Sequence, residues 1–90
     1  MKPVIELSIL QEHIDSGKRG CPLKCPIGQA LSDIEYPQHT VGDAGVQIRG
    51  RNWTADYSMD ETGQRFVKDV DKGIPVFPCV IVLKLKAVYP

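Results

Sequence analysis

No apolar run in this 90-residue chain approaches the roughly 20 residues that a membrane-crossing helix needs. The opening Met1-Lys2-Pro3-Val4-Ile5-Glu6 has a lysine but not the apolar stretch of a signal peptide, so the expectation is a protein that stays in the cytosol where it is made. Net charge is absent as well, with 11 basic residues against 11 acidic ones, which removes the overall field of a general nucleic-acid binder and leaves only local patches. Cysteine is sparse and odd in number, at 3, and cytosolic thiols are kept reduced, so no disulfide framework is expected. Also missing are a glycine-rich phosphate loop, paired catalytic carboxylates and a Ser-His-Asp arrangement. There is no internal repeat, low-complexity tract or linker, and the length suits one domain around one modest core.

What is present alternates between strand and helix signals. Ile5, Leu7 and Ile9 alternate with Glu6 and Ser8, the pattern of a half-buried strand. Residues 11–16 make a helical turn or slightly more, stopped by Gly17. Lys18 to Lys24 form a basic loop broken by Gly20 and Pro22. Pro26 suits the first position of a helix, and Ile27, Ala30, Leu31 and Ile34 then follow helical spacing until Tyr36-Pro37 ends it. His39-Thr40-Val41 and Val46-Gln47-Ile48-Arg49 read as short strands around a turn at 42–45. Gly50-Arg51-Asn52 is a second turn, followed by a strand over 53–57. Ser58-Met59-Asp60-Glu61 matches a capping box, with Ser58 expected as the N-cap of a helix that buries Phe66, Val67 and Val70 and ends near Lys72 and Gly73. Past Pro75 and Pro78, residues 80–88 carry the strongest strand signal. This order implies an α+β fold, a small antiparallel sheet of about four strands with helices on one face.

Several strings are similar to those of a known group. Leu10-Gln11-Glu12-His13-Ile14-Asp15-Ser16-Gly17, then Cys25-Pro26-Ile27 with Ala30-Leu31, and late in the chain Phe66-Val67-Lys68-Asp69-Val70-Asp71-Lys72-Gly73-Ile74-Pro75-Val76, resemble small uncharacterised tailed-phage and prophage proteins. That group carries a Gln-Glu-His-Ile turn, a Cys-Pro-aliphatic helix start and an Asp-x-Gly-x-Pro-Val segment. Leu10 departs from the threonine N-cap usual there, and the middle of the chain is unmatched. The resemblance implies phage origin and a small α+β fold, and it implies no reaction.

Candidate chemistry is thin. Cys21, Cys25 and Cys79 with His13 or His39 would make a Cys₃His zinc set, but the second ligand pair has no regular spacing and Cys79 opens a core-like strand. Small buried thiols are the simpler reading, and no metal or cofactor is expected. Cys25 at a helix start with His13 nearby would be the minimum for a nucleophile and base, yet no third group or oxyanion hole accompanies them, so no enzyme activity is expected. His13 is read as a structural histidine bonded to neighbouring backbone. Lys18, Arg19 and Lys24 in one loop, with Arg49 and Arg51 ahead of Trp53, are the candidate partner or nucleic-acid contacts, against a plainer role as solubility charges. Lys84 and Lys86 point to one side of the last strand, where they would add to such a contact surface or, more plainly, serve as solubility charges and edge-strand gatekeepers. The functional expectation is a non-enzymatic anti-defence protein of the anti-CRISPR kind, acting in the host cytoplasm on a host protein or ribonucleoprotein complex. The alternative is a small zinc- or nucleic-acid-binding phage accessory protein.

Overall fold

In the computed structural model, which describes residues 2–17, 25–34, 36 and 38–90, β1 (Val4–Ile9) buries every second side chain. Ile5, Leu7 and Ile9 point inward while Val4, Glu6 and Ser8 stay exposed, as the alternation requires. The chain continues through α1 (Gln11–Ser16), α2 (Pro26–Asp33), β2 (His39–Val41), β3 (Gly45–Arg49), β4 (Thr54–Met59), α3 (Glu61–Lys72) and β5 (Cys79–Tyr89). The five strands form one antiparallel sheet in the order β1-β5-β4-β3-β2, one strand more than the expected four. The α+β class holds.

β5 is the hub. Its first half pairs with β1 and its second half with β4, so the last strand closes between the first and the hairpin region. Opposite β4 the register shifts at Asp56/Tyr57: Asp56 faces Ala87 and Tyr57 faces Leu85, leaving Lys86 as the extra residue of a bulge. The sheet curls, and α2 packs against both edge strands, β1 and β2. Ile27, Ala30 and Leu31 of α2 meet Leu7, Ile9, Ile48, Tyr57, Ile81 and Leu83 in a single core.

Helix α3 starts later than the Ser58 capping box predicts. Met59 still belongs to β4, where its side chain is buried and it faces Leu83 across the ladder. Ser58 is therefore a strand residue, and the N-cap is Asp60. One carboxylate oxygen of Asp60 accepts the Gly63 N–H at 2.9 Å, and the other accepts the Val82 N–H at 3.2 Å. Strand pairing outweighs the local Ser-x-x-Glu signal. Gly63 lets α3 approach the sheet closely, since a Cβ there would meet Ile81 Cγ2 at 2.7 Å. At the far end Gly73 has φ 75, the left-handed conformation that ends many helices.

Candidate functional site

Of the five cationic candidates, Lys18, Arg19 and Lys24 lie outside the described residues, as does Cys21. Arg49 ends β3 with its guanidinium tied to neighbours. Its Nη1 donates to Thr40 Oγ1 at 3.0 Å and to Gln47 Oε1 at 3.4 Å, and Gln47 Nε2 donates to Asp56 Oδ1 at 3.2 Å. A polar row thus crosses β2, β3 and β4 on the face turned away from the helices. Thr40, Gln47, Asp56, Ser58 and Lys86 border a shallow hollow of about 390 Å³ on that face.

Arg51 is exposed in the turn that follows β3. Trp53, expected as core or as a stacking ring beside it, is half-buried, packs against the core and lies against Gly50. Its ring is committed to the fold rather than left as a platform for a base. Tyr57 borders the polar hollow but turns its ring into the core. Its hydroxyl donates to the Lys2 carbonyl at 2.7 Å, and burial, with a smaller contribution from Tyr36, pushes the phenol up from its ordinary value.

The structure gives His13 the structural task expected of it. Nδ1 accepts the Leu10 N–H at 2.9 Å, so the ring proton sits on Nε2, which donates to Asp33 Oδ2 at 2.7 Å. The imidazole supplies the N3 half of a capping box whose N-cap half the aliphatic Leu10 side chain cannot supply, and it ties α1 to α2. Glu12, His13 and Asp33 bring their ligand atoms within 4.8 Å of one another, the only such group among the described residues. The hydrogen bonds argue against a metal there. A metal on Nε2 needs that nitrogen's lone pair, which moves the proton to Nδ1 and sets it against the Leu10 N–H.

Among the described residues the remaining thiols and imidazoles assemble no three-ligand group, and no three of Cys25, Cys79, His13 and His39 converge. Cys25 is the N-cap of α2, its sulfur accepting the Gly28 N–H at 3.5 Å. His13 cannot serve as its base while both ring nitrogens are engaged elsewhere. Cys79 opens β5 opposite Ile9, where burial, and then Asp60, pushes its thiol up and away from the reactive thiolate. His39 is buried and donates from Nδ1 to the Tyr36 carbonyl at 2.7 Å.

What sequence reasoning missed is the connection between α3 and β5. Residues 74–78 form neither helix nor strand, and Phe77 is 74% exposed, the most exposed large apolar side chain among the described residues. Phe77, Pro75 and Pro78 border a groove of about 400 Å³ whose other wall is the Glu61, Arg65 and Asp69 face of α3. The signal in the sequence is the pair Pro75 and Pro78 three residues apart, flanking the apolar Val76 and Phe77. Compared with family models, curated proteins and solved structures, the chain matches none.

Proposed function

We propose that this chain is a phage-encoded, non-enzymatic anti-defence protein, anti-CRISPR-like, that binds a host nucleoprotein complex in the host cytoplasm and blocks it by occupying its surface. The phage resemblance supplies the setting, and one observation supports the binding mode: the exposed apolar segment at 74–78 beside the α3 groove. A small domain gains nothing in its own core from a phenylalanine 74% exposed, whereas an aromatic in that position suits an anchor for a partner's pocket. Arg49 and Arg51, with Lys18, Arg19 and Lys24, would add charge steering toward an anionic complex.

A second reading has its own support. Lys86 is exposed and borders the hollow beside the row that contains Arg49, and a cation there suits a phosphate of a nucleic acid in an accessory role. Affinity capture from host lysate with the tagged chain, with and without nuclease, separates the two. A defence complex that survives nuclease is the expected result; recovery of nuclease-sensitive material alone would favour the accessory role and sink the anti-defence reading.

A further inference from the structure

The segment Ile74-Pro75-Val76-Phe77-Pro78 repeats an apolar-proline pair at a spacing of three residues. Proline fixes φ near about −65° at two of the five positions, and the residue before each proline is pushed toward extended or polyproline II backbone. Four of five residues are thus biased toward one conformation by covalent structure alone. In a polyproline II helix three residues make a turn, so residues three apart share an edge. Ile74 and Phe77 would then lie on one edge, Pro75 and Pro78 on a second, and Val76 on the third.

The observed burial follows that division. Ile74 is 47% exposed and Phe77 74% exposed, and both prolines are exposed. Val76 alone is half-buried. It packs against the core and, with Ile74 and Pro75, borders a hollow whose other side is Ile14, Pro26 and Val70. The body of the domain therefore holds the segment most firmly at Val76 and leaves Ile74, Phe77 and both prolines exposed at the rims of the hollows on either side.

We propose that residues 74–78 are a polyproline-type ligand for a proline-recognising domain of the SH3 kind, a groove with two adjacent aromatic-lined slots. Each slot takes one apolar-proline pair, and Val76 is the residue that points away from the partner. Lys72, exposed and three residues ahead of Pro75, supplies the basic group that complements an acidic rim. Because the segment is anchored at Val76 and by the helix and strand on either side, it meets a partner already ordered, which lowers the entropy cost of docking. The proposal rests on the reading that the chain acts by binding a protein, and it names the class of surface bound.

The test is titration of the ¹⁵N-labelled full chain with a set of purified SH3 domains covering both ligand orientations, at concentrations up to about 1 mM. The expected result is shifts confined to the amides of 72–79. Phe77→Ala and Pro78→Ala should each weaken binding roughly tenfold or more, and Lys72→Glu by a smaller factor. All three positions are exposed, so the spectra of these variants should otherwise overlay on that of the parent chain. The proposal is overturned if no domain in the set moves these amides, or if binding survives Phe77→Ala and Pro78→Ala. It is also overturned if the same amides shift with concentration of the chain alone, which would mark a self-association surface. A nuclease-resistant complex captured equally well by Phe77→Ala and Pro78→Ala would sink this proposal and leave the anti-defence reading standing. A positive titration with no defence complex captured would do the reverse.

Discussion

His13 shows how much one buried side chain can organise when both ring nitrogens are used. It closes the N-terminus of α1 through Leu10 and reaches across to Asp33 on α2, so removing it loosens the seam between two helices. His13→Ala is expected to cost about 2–4 kcal/mol in chemical denaturation, from two lost hydrogen bonds and an unfilled space. Asp33→Asn should stay within about 1 kcal/mol of the parent, because that side chain is 62% exposed and an amide oxygen still accepts from Nε2. Equal losses in the two variants would mean that the hydrogen bond to Asp33, not the cap, is what matters.

Tyr57 and Cys79 make a second prediction at this scale. Both groups hold their protons more tightly folded than unfolded, from ordinary values of 10.0 and 9.0. The folded chain therefore binds more protons than the unfolded one once pH exceeds about 9, and stability must fall as pH rises from there through the folded values. Melting temperatures should be flat from pH 7 to 9 and decline above. Tyr57→Phe should lose about 1 kcal/mol at pH 7 with the Lys2 hydrogen bond, then decline less steeply above pH 10. An unchanged slope in that variant would show that other groups carry the alkaline loss.

Among the elements, α3 and its junction with β4 separate local preference from tertiary constraint. Ser58-Met59-Asp60-Glu61 contains two competing N-caps, and the helix takes the second because Met59 completes β4 by burying its side chain. Asp60→Ala should cost about 1–3 kcal/mol, since it removes the cap and leaves the Val82 N–H without its carboxylate. Ser58→Ala, in an exposed strand position, should change stability by less than about 0.5 kcal/mol. Denaturant midpoints for the two variants check this directly, and a larger loss at Ser58 would restore the earlier helix start.

Across the whole molecule, the fold was legible where periodicity and breakers agree. The Ile5, Leu7, Ile9 alternation, the Pro26 helix start, the turn at 42–45 and the late valine-rich strand all lie where local pattern puts them. All five strands are legible as segments, but that all five join one sheet is not, because membership depends on pairing between distant segments, and β1 finds its partner some 75 positions later. The exposed segment was harder still to foresee. Phe77 sits among apolar neighbours, and only the packing of Val76 against the core decides which side of the segment faces out. Of the proposed cationic contacts, Arg49 and Arg51 both reach the surface, Arg49 within a bonded row and Arg51 in a turn.

The central claim is that the chain acts by occupying a partner, one molecule for each site blocked. Dose titration against the host complex recovered by affinity capture tests it most directly, with the complex's nucleic-acid-targeting activity as the readout. Inhibition should rise linearly with added chain and saturate at a fixed molar ratio, with Phe77→Ala shifted to higher dose. Complete inhibition at amounts far below the complex, growing with time, would mean turnover and would contradict the proposal.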